Sequence, residues 1–90
     1  MSFTVEWRPA VLSRFAEEWE ELDPAHQNDV MDALDAVDRR LRTDPLTVGE
    51  SRDFESNRVL VRSPILVRYR VDLRLKMVTI VGAGILPKRR

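Results

Sequence analysis

The sequence predicts an α+β domain with the order β-α-α-β-β-β, in which a helical hairpin packs on one face of a largely antiparallel four-stranded sheet. Apolar residues alternate at period two near the N-terminus and again through residues 57–84, as in strands that bury one face. Two stretches between them repeat apolar residues at the three- and four-residue spacing of amphipathic helices. Ninety residues suffice for one hydrophobic core, so we expect residues 1–90 to form a single domain.

The composition limits the classes of function. The chain has no cysteine and a single histidine, so a disulfide framework is ruled out and a transition-metal site is disfavoured. We expect no metal and no cofactor. The chain has no run of 18 apolar residues, and its first residues do not form a basic segment followed by an apolar one. We therefore expect a soluble, cytoplasmic protein.

The first strand and helix follow from the first 23 residues. Phe3, Val5 and Trp7 alternate with polar residues and predict a strand, which ends at Pro9, a residue suited to the first turn of a helix. Residues 9–23 then place their large apolar side chains on one stripe and four glutamates outside it. Tryptophans in such patterns are typical of the core, and we do not interpret them as platforms for stacking bases.

The second helix begins at Asp23-Pro24, where the carboxylate can cap the exposed amides. Four apolar residues then recur at helical spacing: Val30, Leu34, Val37 and Leu41. The aspartates of this helix fall outside that stripe and are interpreted as a solvated face. His26 lies in the first turn, where histidine is usually a surface residue, and we interpret it so.

Three strands of a meander follow a longer connection. We expect residues 44–56 to form this connection, with Leu46, Val48 and Phe54 packed on the domain. The breaks at Ser63-Pro64 and at residues 72–76 are too short for a crossover helix, so neighbouring strands should be antiparallel.

The meander is unusually rich in arginine. We predict that one face of its first two strands is buried, through Val59, Val61, Val67, Tyr69 and Val71. The residues between them would then point outward, including four arginines: Arg58, Arg62, Arg68 and Arg70. Such a row repels itself unless an anion covers it, so we interpret this face as a phosphate-binding or partner-binding surface. In a second interpretation the chain's own acids, among them Glu50, Asp53 and Glu55, neutralise it.

Acidic residues are concentrated in the first half of the chain and basic residues in the second half. Residues 1–50 carry five basic and twelve acidic residues, a net charge of −7, whereas residues 51–90 carry ten basic and three acidic ones, a net charge of +7. The total is zero, so we do not expect tight binding to bare duplex nucleic acid. A basic half within a neutral domain favours one polyanion-seeking side.

Several segments together resemble one family. They are FTVEWRPAVLSRFAE at the start, DALDAVDRRLRTDP in the second helix, and RVLVRSPILVRYRV followed by MVTIVGAG in the meander. In layout and in this hairpin, the chain resembles the RelE/ParE superfamily of toxins from type II toxin–antitoxin systems. The resemblance spans nearly the whole chain, but none of these segments is a catalytic signature.

The resemblance implies a partner and an activity. The partner would be a cognate antitoxin that masks the active surface. RelE-like members cleave mRNA on the ribosome by attack of a ribose 2′-hydroxyl, so this chain would be a metal-independent endoribonuclease. Two alternatives stay open: a ParE-like toxin that inhibits DNA gyrase by protein contact, and a degenerate member that retains only antitoxin binding.

The resemblance also assigns residues. Arg58 and Arg62 match basic positions on the first strand of the hairpin and are the predicted catalytic residues. The predicted RNA-binding residues are Arg52, Arg68, Arg70, Lys88, Arg89 and Arg90.

The chain departs from active nucleases of the family at three places. It has Leu60 and Leu66 where they carry basic residues, and Ile85-Leu86-Pro87 where many carry an arginine followed by a tyrosine or histidine. Arginines can still stabilise the charge of the transition state, but they do not give up protons readily. The sequence therefore shows no general acid or base.

Overall fold

The computed structural model describes residues 2–46, 50–52 and 54–87, and the side chains of all of these except residues 50–52 and 54–56. The elements in chain order are β1 (Thr4–Trp7), α1 (Pro9–Glu20), α2 (Pro24–Thr43), β2 (Glu50–Arg52), β3 (Phe54–Arg62), β4 (Ile65–Asp72) and β5 (Met77–Ile85).

The described strands form one mixed sheet in the order β1-β5-β4-β3-β2. Strand β1 pairs in parallel with β5, and every other neighbouring pair is antiparallel. Two helices on a largely antiparallel sheet confirm the predicted α+β fold. The four predicted strands are present, and the short strand β2 adds an edge strand within the stretch that the sequence analysis assigned to the connection.

The helices begin where the sequence predicts. Pro9 opens α1, and the Asp23 side chain caps α2 by accepting a hydrogen bond of 2.8 Å from the backbone N–H of His26. Two reciprocal hydrogen bonds join the helices: the Trp19 indole donates to the Gln27 carbonyl at 3.2 Å, and the Gln27 amide donates to the Trp19 carbonyl at 3.0 Å. Trp19 therefore fixes the helical hairpin, which agrees with its interpretation as a packing residue.

The core lies between the helices and one face of the sheet. Strand β4 supplies alternate buried residues, namely Ile65, Val67, Tyr69 and Val71, and α2 supplies Val30, Ala33, Val37 and Leu41. Burial of these apolar side chains is the main favourable contribution to folding. We call the side of the sheet that faces this core the inner face, and the opposite side the outer face.

Tyr69 ties the end of α2 to the sheet. It is 1% exposed, and its hydroxyl donates a 2.7 Å hydrogen bond to the carbonyl oxygen of Pro45, which is also fully buried. This bond satisfies a backbone acceptor just after α2 ends, where water does not reach.

The register of β3 against β4 reverses the faces predicted for β3. Arg58 pairs with Tyr69, and Arg62 pairs with Ile65. Directly paired residues of neighbouring antiparallel strands share a face, and Tyr69 and Ile65 are buried, so Arg58 and Arg62 lie on the inner face. The prediction that four arginines share one surface is therefore wrong.

Val59 and Val61 take the outer positions instead. They pair with Arg68 and Leu66, and Val61 is 56% exposed. The reason is that β3 is apolar on both faces, with valine at 59 and 61 and leucine at 60, so alternation alone does not say which set is buried.

No helix in the described part of the chain is both long enough and apolar enough to span a bilayer.

Replacing Tyr69 by phenylalanine should destabilise the domain. Tyr69→Phe removes the hydroxyl and leaves the buried Pro45 carbonyl without its donor, so we expect the free energy of unfolding to fall by about 1–3 kcal/mol. Urea unfolding measures it. Leu75→Ala is the control, because Leu75 is 67% exposed and such a change costs about 0.5 kcal/mol or less. Equal losses in the two variants would contradict the assigned role.

Candidate nucleic-acid interface

The outer face carries a row of exposed arginines, and α1 reaches only its Arg68 end, where Arg14 and Glu18 line a cleft with Arg68. Arg68 and Arg70 are exposed on β4, and Arg74 is exposed in the turn that follows it. Two adjoining clefts, which share Asn57 and Arg70, run along these residues. We define the arginine groove as the surface formed by Asn57, Arg68, Arg70, Arg74 and Thr79.

Cross-strand pairing holds Arg70 at the centre of the groove. Arg70 pairs with Asn57 of β3 on one side and with Thr79 of β5 on the other, so all three side chains share the outer face. The Arg70 Nε donates a 2.9 Å hydrogen bond to the Asn57 side-chain oxygen. This contact orients the guanidinium and leaves its terminal N–H groups available to a ligand.

Arg68 lies flat over a glycine. A Cβ atom built on Gly82 would lie 2.7 Å from the Arg68 Nε and 2.8 Å from its Nη2, closer than real contacts allow. Strand β5 has an irregularity here, because Arg68 pairs with Gly82 whereas its neighbour Tyr69 pairs with Ile80. The extra residue, Val81, forms a β-bulge. Glycine at 82 therefore lets the guanidinium rest on the sheet.

The groove arginines have no acidic partner among the side chains that the structure describes. The ion pairs found there all join residues four apart within one helix: Arg14–Glu18, Arg39–Asp35 and Arg42–Asp38. Asp72 lies at the groove, but its Oδ1 accepts a hydrogen bond from the Leu75 backbone. The groove is thus a concentration of positive charge suited to a polyanion. Glu50, Asp53 and Glu55, which would neutralise it in the second interpretation, lie outside the described side chains.

Arg58 is built into the inner face. It is half-buried, its Nη2 donates to the carbonyl oxygen of Leu46, and its Nε is shielded from water without a hydrogen-bond partner among the described atoms. Burial raises the pKa of the neighbouring Tyr69, and the positive charge of Arg58 partly offsets that rise. These contacts place Arg58 beside the chain that leaves α2. Its catalytic role stays a prediction.

Arg62 lies at the other end of the hairpin, in a separate cleft of about 470 Å³. That cleft also contains His26, Asp29 and Asp32 of α2. His26 is only 7% exposed, so its interpretation as a surface residue is wrong. Its Nε2 has no hydrogen-bond partner among the described atoms. Arg62 and His26 thus share a cleft that is distinct from the arginine groove.

The structure leaves the remaining predicted residues unassigned. Arg52 belongs to β2, but its side chain is not among those that the structure describes. Lys88, Arg89 and Arg90 lie outside the described residues. Their role in binding RNA stays a prediction.

Some residues of the arginine groove could not be predicted from the sequence. Arg74 lies in a turn, where alternation no longer assigns a face, and Asn57 and Thr79 are polar residues without a signature. The role of Gly82 was indicated only by its place within a strand pattern, because a glycine inside a strand often marks a bulge or a site where another group approaches the backbone closely. Within the described residues, no group of three or more His, Asp or Glu side chains is placed to hold a metal ion.

Solved structures share this architecture. E. coli RelE toxin matches 98% of this chain over 88% of its own, with a TM-score of 0.60 and 12% sequence identity. The toxin–antitoxin complex RelBE2 of Mycobacterium tuberculosis has a chain that matches 94% of this one over 92% of its own, with a TM-score of 0.62 and 20% identity. The intact E. coli RelBE complex gives a TM-score of 0.51 at 17% identity, with coverage of 97% and 99%.

Sequence comparison adds nothing to this, because no protein-family model and no curated protein matches the chain. At 12–20% identity, the structural likeness defines the fold. The chain has the RelE-like toxin fold, as the sequence predicts.

Replacing Gly82 by alanine should move Arg68 without unfolding the protein. The clashing atoms are the far end of an exposed side chain, so the guanidinium can swing away at little cost. We expect a melting temperature within a few degrees of the wild type, and weaker RNA binding in a fluorescence-anisotropy titration. Gly84→Ala is the matched control, because a Cβ there meets nothing within 4 Å. Equal affinities of the two variants would show that the position of Arg68 is unimportant.

Alkaline pH should weaken the fold through Tyr69. Because burial raises the folded-state pKa of Tyr69 above its ordinary value of 10.0, the stability linked to this group is fully present below pH 10 and is lost as pH rises through the folded-state pKa. Urea unfolding at pH 8 and above pH 10 measures this loss. We expect Tyr69→Phe to lose less stability than the wild type over that interval. An equal loss would assign the alkaline sensitivity to other groups.

Proposed function

We propose that the chain is the toxin of a type II toxin–antitoxin system, and that it inhibits translation by binding and cleaving mRNA on the ribosome. The likeness to RelE toxin supports the class, and the arginine groove supports the substrate. Such a toxin acts in the cytoplasm, where ribosomes carry mRNA.

The observation that supports this proposal is the concentration of arginines in the groove, which have no acidic partner among the described side chains. Arg68 and Arg70 are two residues apart on one strand, so their Cα atoms are about 6.7 Å apart on the same face. Arg74 continues the row into the turn. A linear array of exposed guanidiniums suits a single-stranded backbone, which offers a phosphate at each nucleotide.

The same groups could serve the chemistry of cleavage. Attack of a 2′-hydroxyl on the adjacent phosphorus places extra negative charge on the phosphoryl oxygens, and preorganised guanidiniums stabilise that charge. Arg70 is already oriented by Asn57. We therefore assign phosphate binding first to Arg68 and Arg70, and we keep Arg58 and Arg62 as the predicted catalytic pair to be tested.

We also propose a cognate antitoxin as partner. Two of the similar structures are complexes of a RelE toxin with its RelB antitoxin. By analogy, a small protein that covers the arginine groove would hold this chain inactive, and it should carry acidic residues to do so.

A second candidate function is inhibition of DNA gyrase by protein contact. It is favoured by the exposed Val61 and half-buried Leu66, which lie on the outer face next to the arginines. Apolar residues combined with arginine are typical of protein interfaces. This candidate predicts DNA damage and intact mRNA on expression.

Alanine substitutions should distinguish the role of the groove arginines from the role of the inner-face arginines. We expect Arg68→Ala and Arg70→Ala each to restore growth on induced expression and to lower the slope of log affinity against log salt by about 0.7 for single-stranded RNA, because each removes one phosphate contact. Growth assays, primer extension on extracted mRNA and salt titrations measure these effects.

Arg58→Ala and Arg62→Ala are compared with the two groove variants in the same assays. If they abolish cleavage while RNA binding persists, they act in catalysis as the sequence predicts. Arg39→Ala is the control, because Arg39 pairs with Asp35 on the exposed side of α2. Full toxicity of both groove variants would refute RNA binding by the arginine groove.

A further inference from the structure

The groove needs a proton acceptor if it cleaves RNA. A 2′-hydroxyl is a weak nucleophile until a nearby group takes its proton, and arginine is a poor acceptor. The groove as defined contains guanidiniums, an amide and a hydroxyl. Asp72, the carboxylate described at the groove, is held at its Oδ1 by the Leu75 backbone, which favours an acceptor on a neighbouring strand.

Pairing across the sheet places one carboxylate in line with Arg70. Glu6 of β1 pairs with Thr79 of β5, and Thr79 pairs with Arg70 of β4. Arg70 in turn pairs with Asn57 of β3. Since paired residues share a face, Glu6, Thr79, Arg70 and Asn57 form one polar row across four strands of the outer face.

Glu6 is exposed, and it makes no ion pair or hydrogen bond with any described side chain. The other carboxylate described on this face, Asp72, already accepts a hydrogen bond from the turn. Glu6 is thus the carboxylate of the described outer face that accepts no hydrogen bond from a described group.

The spacing suits a nucleotide. Neighbouring strands lie about 4.8 Å apart, so the Glu6 and Arg70 backbones, which are separated by one strand, lie about 10 Å apart. Both side chains rise from the same face with Thr79 between them. A phosphodiester bound by Arg70 would therefore have its ribose within reach of the Glu6 carboxylate.

We propose that Glu6 is the general base of RNA cleavage in the arginine groove, an inference that rests on the proposed function. The Glu6 carboxylate takes the proton of the 2′-hydroxyl as the O2′–P bond forms and the P–O5′ bond breaks. Water gives a proton to the departing 5′-oxygen. The products are a 2′,3′-cyclic phosphate and a 5′-hydroxyl, and Arg70 neutralises the phosphoryl oxygens throughout.

The test compares wild-type protein with Glu6→Gln, which keeps the shape of the side chain and removes its basicity. We expect cleavage of mRNA on purified ribosomes to slow by about 10²–10⁴-fold. Binding to an RNA with a 2′-deoxynucleotide at the cleavage position should be unchanged or slightly tighter, because one negative charge is lost. Glu6→Asp should recover part of the rate.

The control is Glu17→Gln, which removes an exposed glutamate of α1. If wild-type protein cleaves and Glu6→Gln cleaves at the same rate, Glu6 is a surface charge and this inference is refuted, while the proposed function stands. If wild-type protein binds RNA but does not cleave it on ribosomes, the cleavage proposal fails and this inference fails with it. A rate loss matched by Glu17→Gln would also refute the assignment.

Discussion

The pairing register of β3 with β4 is the constraint on which the arrangement of charge depends. A two-residue turn at Ser63-Pro64 places Arg62 opposite Ile65, and the ladder then runs back to Asn57 opposite Arg70. Because β4 buries Tyr69, Val67 and Ile65, its own arginines face outward, and the register then decides that Arg58 and Arg62 of β3 face the helices. A shift of β3 by one residue would turn Arg58 and Arg62 to the outer face as well.

The sequence predicts the structure correctly where a residue pattern is compatible with only one arrangement. The β-α-α-β-β-β order, the capping of α2 by Asp23 and the buried side of β4 all follow from periodicity and turn chemistry. The prediction of the buried face was wrong for β3, where valine and leucine occupy both faces. The prediction of exposure was wrong for His26, whose burial depends on the hairpin that packs against α2. The short strand β2 was also missed, because three residues carry no measurable period.

The resulting surface differs from the one that composition suggests. The described basic residues of the second half of the chain do not form a single patch. Arg58 binds the backbone after α2, Arg62 faces a cleft with two aspartates, and the groove takes Arg68, Arg70 and Arg74. The groove lies beside the exposed Val61, so the outer face offers both charge and apolar area. That combination is compatible with a nucleic acid and with a protein that must compete for the same surface.

The bulge at Val81 has a consequence for the length of β5. Val78 and Ile80 face the core before it, and Ala83 and Ile85 pack on the core after it, so the inward residues are spaced by three at this one point. Removing Val81 would reduce this spacing to two, as in a regular strand, so Ala83 and Ile85 would still face the core and only the bulge would be lost. The bulge therefore does not set the direction of the inward residues, and its effect is confined to the local twist of β5 and to the place where Gly82 meets Arg68.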